Sequence, residues 1–357
     1  MISNQPSQIM AMIRSCKMVN IGGRPVIVPE TLTPARAHDR SHAIKLALAF
    51  VAIYLIWGST YLAIRVAVRT VPPLLAAGGR WLIAGTLMMV FGLRYRGGNG
   101  ERPGWPSARQ WGSAAIIGTA LCLGGNGLVS VAEKRISSGM AALLIATVPL
   151  FVALFDFLRN RARMPMAVLG GLALGFGGTA VLVRPQHGAG AVDTVGALTV
   201  IAAAAAWAAG SLYARTASLP ERPAVATGME MLCGGVASLM VSAIGGDFGS
   251  FHPGAVSWKS LLAIGYLVVF GSLVAFSAYV WLLRNVRTSI VTTYAYVNPL
   301  VAVLLGWLIL NERVTSTVFI GGSIIIAAVA IIVASSGERM PPDIGNRADL
   351  ALEELPT

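Results

Sequence analysis

Ten apolar runs follow one another between residues 46 and 337, most of them long enough to cross a bilayer as helices. The runs 110–132, 164–183, 194–214, 260–283, 288–310 and 314–337 carry no charge, and 138–155 is a shorter uncharged one. Three more hold a single charge: Arg65 in 46–68, Arg80 in 70–93 and Glu230 in 223–246. A transmembrane helix needs about 20 apolar residues. In lipid only helices and closed barrels satisfy their own backbone groups. No run alternates with period two over a strand length, which argues against a barrel. The pattern predicts an all-α integral membrane protein with ten transmembrane helices.

Composition agrees. Only 12% of the 357 residues are charged and 55% are hydrophobic, whereas a soluble domain carries about 25% charged residues. The net charge of +12 would suit a nucleic-acid binder if the basic residues clustered on one polar face. They lie instead between apolar runs, so the expected partners are the lipid bilayer and a small-molecule substrate, with no nucleic acid. The 40 glycines, many within the runs, allow close helix packing.

The 27 Lys and Arg residues also orient the chain. With ten spans, 19 fall on the side that holds both tails, six fall on the other, and Arg65 and Arg80 lie inside spans. By the positive-inside rule both termini are cytoplasmic and the protein is multi-pass in the cell membrane. Residues 1–43 lack the clean apolar core of a signal peptide and read as a loose basic tail. Residues 337–357 read as a second cytoplasmic, disordered tail. Cys16, Cys122 and Cys233 form no CxxC or Cys/His cluster, so neither a metal site nor a cofactor is expected.

The chain lines up with itself at an offset of 150. Trp57 falls on Trp207, Arg65 on Arg215, Pro73 on Pro223, Gly85 on Gly235, and Pro149-Leu150 on Pro299-Leu300. Each half, 44–184 and 194–336, holds five spans. An odd number makes the second half enter the membrane from the opposite face, which is the inverted repeat of many secondary transporters.

The run Trp57-Gly58-Ser59-Thr60-Tyr61 with Arg65, then Pro72-Pro73 and Arg80-Trp81-Leu82-Ile83-Ala84-Gly85, resembles the first two helices of the EamA family. Ser138-Gly139-Met140-Ala141-Ala142 leading to Pro149-Leu150 is similar as well, as are Asn298-Pro299-Leu300 and Leu310-Asn311-Glu312-Arg313. The resemblance covers about 43–336. It implies membership of the drug/metabolite transporter superfamily, two inverted five-helix halves, and carriage of small metabolites, often outward.

Several residues are candidates for that work. Pro149 and Pro299 each free the carbonyl four residues back, on Ile145 and Ala295; two kinked helices would line one cavity, or the carbonyls are met by neighbouring helices. Tyr294 and Asn298 share a helix face beside Pro299, for substrate or for an interhelical bond. Arg80 sits roughly 9 Å inside its span, at 1.5 Å per residue. A charge there suggests an anion site or a gate, or an arginine that ties helices. Trp57, Tyr61 and Trp207 offer aromatic faces to an apolar or cationic substrate, with packing as the alternative. Glu230, the one acid well inside a span, is the candidate coupling residue, or a neutral structural acid. Asn126, in Gly124-Gly125-Asn126-Gly127, reads mainly as a close helix contact. Glu133-Lys134-Arg135 reads as a solvated turn; Asn311-Glu312-Arg313 matches the family, and capping of the final helix explains it equally well.

No ATP-binding motif is present, so the expected function is a secondary transporter, most simply an exporter working by alternating access. The alternative is a membrane-embedded enzyme acting on a lipid-linked substrate. That would need clustered acids or histidines at a membrane face, yet His38, His42, His187 and His252 all lie in tails or loops.

Overall fold

Apolar runs become helices because a helix satisfies every backbone group within one segment, with no help from water. The computed structural model describes residues 16–21, 24–29, 36–94, 104–160, 165–183, 193–286, 291 and 293–336. Its helices are α1 Arg36–Ala67, α2 Pro73–Arg94, α3 Ala108–Ala132, α4 Ser138–Asn160 with a break, α5 Met166–Val183, α6 Thr194–Ala214, α7 Pro223–Ile244, α8 over 258–285, α9 Tyr294–Leu310 and α10 Ser316–Ser336. Nine of these, among the described residues, are long and apolar enough to span a membrane, and α9 is a shorter apolar helix. The run expected at 288–310 thus appears as a helix from Tyr294; residues 288–290 and 292 lie outside the described residues. The protein is an all-α multi-span membrane protein.

Residues 1–48 form a separate unit. Within it β1 Cys16–Ile21 pairs antiparallel with β2 Arg24–Pro29, Ile21 opposite Arg24. Val19, Val26, Ile27 and Val28 supply the β-branched side chains that suit strands. The rest of the N-terminal segment before α1, and the C-terminal tail from 337, lie outside the described residues.

Local signals repeat along the helical unit. Helices α2 and α7 are both 22 residues long and begin at prolines 150 positions apart (223 − 73). Proline suits the first turn, where its missing N–H has no partner to lose. Ser107 caps α3 and Ser257 caps α8, again 150 apart (257 − 107), each hydroxyl accepting the N–H three residues on, from Gln110 at 3.3 Å and from Ser260 at 3.2 Å. Both capped helices contain a π-helical stretch, Thr119–Gly127 in α3 and Leu267–Val274 in α8.

Helix α2 packs along α7, α5 along α10, and α4 against α9. Backbones of α3 and α7 meet at Gly118 and Gly234, where a Cβ on either residue would collide with the other helix. The main apolar core includes Ile64, Leu144, Leu150, Leu182, Val200 and Ile325.

Candidate functional site

The π-helical stretch of α8 organises a buried polar cluster. A π turn inserts a residue and shifts the regular backbone ladder, which leaves groups free to bond sideways. The Gly271 carbonyl accepts the indole N–H of Trp57 at 3.1 Å. Ser272 donates its hydroxyl to Leu267 O, five residues back, at 3.0 Å and accepts Arg80 Nε at 3.0 Å. Gly271 sits in a tight place: a Cβ there would stand 3.1 Å from Thr60 Cγ2 and 3.3 Å from Arg80 Nη2, so those side chains would have to give by a few tenths of an ångström.

Arg80 reaches α3 as well, donating from Nη1 to Asn126 Oδ1 at 3.4 Å, within the other π-helical stretch. Its guanidinium carbon lies 4.1 Å from the centroid of the Trp81 ring, a cation–π arrangement that partly replaces lost hydration. Arg80 is only 5% exposed and Ser272 1%. Trp57 continues the cluster into an aromatic group. Its ring centroid is 5.2 Å from Tyr279 and 5.1 Å from Tyr294, edge-on to the latter, and Tyr279 and Tyr294 are 5.9 Å apart. Helices α2, α3 and α8 therefore meet at one guanidinium, and the Gly271-Ser272 pair of α8 links it to the three aromatic rings of α1, α8 and α9. Such a group can hold an anionic or planar polar moiety through charge-assisted N–H bonds and pack an apolar one against the rings. Among the described residues no group of three or more His, Cys, Asp or Glu is placed to hold a metal ion.

The other sequence candidates are placed variously. With its amide nitrogen turned toward two carbonyls, Asn298 donates to Tyr294 O at 3.3 Å and to Tyr54 O of α1 at 3.2 Å, so it ties α9 to α1. Tyr61 is half-buried against the main core. Trp207 of α6 lies against Gly125 of α3. Glu230 is half-buried on α7, and its backbone carbonyl abuts Gly118; Arg80 spends its bonds on Ser272 and Asn126, with no ion pair to Glu230. Helix α4 breaks at Ala146-Thr147, two residues before Pro149: Ser138–Ile145 and Val148–Asn160 are separate helical segments. Thr147 closes the break by donating its N–H and its hydroxyl to Leu144 O at 3.1 and 2.6 Å. Pro299 is buried inside α9 without a break.

Asn126, Gly271, Ser272 and Tyr279 are the members that sequence reasoning passed over or read as packing. A Gly-Ser pair inside an apolar run was the visible signal for two of them.

Two turns differ from expectation. Lys134 and Arg135 are exposed, but Glu133 is fully buried, so that turn is not simply a solvated one. Arg135 instead pairs with Asp193 at 3.3 Å. The Gly196 N–H bond, with Arg135, holds the Asp193 carboxyl below its ordinary value. Glu312 does not cap the final helix, where Thr315 Oγ1 accepts the Val318 N–H at 3.3 Å. It caps α4, its oxygens accepting Ser138 N–H at 2.9 Å, Ser138 O–H at 2.9 Å and Gly139 N–H at 3.2 Å. The physical reason is Asn311, which takes the left-handed conformation (φ 54°). Asn tolerates that region, and the turn it makes, closed by Glu312 N–H to Gly306 O at 3.0 Å, sends the carboxylate back toward α4.

Known proteins resemble this chain over its helical part. The model of the EamA-like transporter family matches residues 44–184 and 194–334. The chain is 39% identical over 285 residues to an uncharacterized inner membrane transporter of Escherichia coli K12, YedA, covering 80% of this chain and 89% of that protein. It is 25% identical to an uncharacterized transporter of Bacillus subtilis, YvbV, over 84% of this chain and 94% of that one. It is also 25% identical to a WAT1-related chloroplastic protein of Arabidopsis thaliana, over 78% and 67%. A solved crystal structure aligns over 83% of this chain and 99% of its own, at a TM-score of 0.52 and 22% identity, a likeness of fold.

Proposed function

Because this chain belongs to the EamA-like transporter family, we propose that it exports a small polar or amphipathic metabolite across the cytoplasmic membrane by alternating access of two inverted five-helix halves. Membership makes it a multi-span membrane transporter of small solutes. The enzyme alternative has no counterpart in that family model.

The inverted arrangement is supported by the prolines that open α2 and α7, the serines that cap α3 and α8, and the π-helical stretches in those two capped helices. Two structurally equivalent halves can exchange conformations and so expose one site to each face in turn. Both termini are cytoplasmic in this scheme, from the excess of basic residues on their side.

The observation that carries the reading is Arg80, held between Ser272 and Asn126, with Ser272 next in the chain to the Gly271 carbonyl that takes the Trp57 N–H of the aromatic group. Trp57, Arg80 and Tyr294 form the substrate site, with Asn298 fixing α9 against α1. Tyr61 and Trp207 belong to the walls that move. Pro149 and Pro299 shape the helices around the cavity that opens. A buried guanidinium whose bonds are all to neutral groups keeps a full positive charge uncompensated, so the substrate carries an anionic group. Glu230 couples transport to an ion gradient from α7.

The test compares external metabolites of a deletion strain with those of a strain overexpressing the wild type or R80Q. A solute enriched outside only with the wild type supports the reading. Identical profiles for the wild type and R80Q at equal membrane levels contradict it.

A further inference from the structure

Glu133 follows the last turn of α3, its backbone N–H bonded to Val129 O at 2.9 Å. Lys134 and Arg135 turn outward, while Glu133 turns inward and is 0% exposed. Among the described residues neither carboxylate oxygen has a hydrogen-bond partner. Its sequence neighbours Ala132 and Ile136 belong to the main apolar core. Burial of an ionised carboxylate without a donor is strongly unfavourable, and the neutral acid is the form such a site accepts.

Few charged groups surround it. From α1, Arg65 acts on its charge through space without a hydrogen bond, and Tyr61 lies close. From the turn after α9 comes Glu312, whose oxygens are engaged by Ser138 and Gly139. At the start of α6, Asp193 is taken up by Gly196 and Arg135. On α2, Arg80 is bound to Ser272 and Asn126. Burial pushes the Glu133 carboxyl well above the usual carboxylate range; Arg65 pulls it back and Glu312 pushes it further up.

We propose that Glu133 is a proton-binding site of this transporter. In the conformation described, Glu133 is a neutral carboxylic acid. Release of the Glu312 clasp from the start of α4, five residues along the chain, admits water to it. The O–H proton then passes to water on that face of the membrane and leaves a carboxylate facing Arg65. Return of the clasp requires a proton to be taken up again. This site is distinct from Glu230, and only its part in coupling, not its protonation, rests on the transporter reading.

The test uses the full chain reconstituted in liposomes and proton concentration as the only variable. Infrared difference spectra on raising the pH above the usual carboxylate range should show loss of a protonated carboxyl stretch in the wild type and in E230Q, and no such loss when E133Q is combined with E230Q. R65Q, which removes the opposing cation, should move that loss to higher pH. Thermal stability gives a second readout. A carboxyl that is neutral when buried and ionised when unfolded loses stability as pH rises from its unfolded value, about 4.3, toward its folded one. The wild type should therefore lose apparent melting temperature over that window more steeply than E133Q. Carboxyl spectra that coincide in the wild type and E133Q, or equal slopes of stability against pH, would overturn the proposal. Neither readout needs a solute, so a chain that bound this proton and moved no metabolite would contradict the transport reading alone.

Discussion

The indole N–H of Trp57 on α1 donates to the carbonyl of Gly271 on α8 at 3.1 Å, one residue before the serine that accepts Arg80. A π-helical stretch thus supplies consecutive residues to two different helices. The Trp57→Phe protein keeps the ring contacts with Tyr279 and Tyr294 but leaves that carbonyl without its partner. Loss of such a bond costs about 1 kcal/mol, so W57F should insert normally and melt at a lower temperature in detergent than the wild type. An unchanged melting temperature would show that the bond adds no net stability.

Glu312 joins the end of α9 to the start of α4 through three hydrogen bonds. A carboxylate at a helix N-terminus satisfies free N–H groups and complements the helix dipole. Removing it in E312A should cost about 1–2 kcal/mol. Amide hydrogen exchange should accelerate in the first turn of α4, at Ser138 and Gly139. E312A with wild-type exchange there would refute the capping role.

Glu230 is proposed to couple transport to the proton gradient, and E230Q keeps its size and hydrogen bonding without titration. In proteoliposomes E230Q should lose accumulation driven by an imposed pH gradient and keep solute–solute exchange. Undiminished gradient-driven accumulation in E230Q would remove Glu230 from coupling.

Orientation can be checked at Cys16, in the N-terminal unit. The proposed cytoplasmic placement of the termini predicts that a membrane-impermeant thiol reagent leaves Cys16 unlabelled in intact cells and labels it after permeabilisation. A single-cysteine version, with Cys122 and Cys233 changed to Ser, keeps the signal specific. Labelling from outside intact cells would reverse the topology.

Much of this molecule was legible in the sequence because lipid leaves a chain few choices. Uncharged runs specify helices, and the prolines at 73 and 223 mark helix starts by themselves. Arg80, Trp57 and Tyr294 stood out as a buried charge and aromatics within apolar runs, and they lie in one cluster. What brings them together was not legible. A π-helical insertion changes hydrogen-bond register without changing hydrophobic composition, so Gly271 and Ser272 gave no periodic signal. Glu133 was misread for a related reason. Its neighbours Lys134 and Arg135 made the segment look solvated, and burial of one residue in a charged triplet depends on where the turn aims it. Glu312 shows the same limit, since its partner Ser138 is 174 residues away in the chain.

The account stands most directly on Arg80 as the group that recognises the carried solute. Once the exported solute is identified from the strain comparison, counterflow of that solute into proteoliposomes should be measured for the wild type, R80K and R80Q at equal protein content. Losing a charge-assisted hydrogen bond of about 1.5–3 kcal/mol should lower uptake by R80Q roughly ten- to a hundredfold, since 1.4 kcal/mol is a factor of ten. R80K should fall between R80Q and the wild type, because lysine keeps the charge and loses the planar fork. Wild-type uptake by R80Q would contradict the assignment of Arg80 to the substrate site.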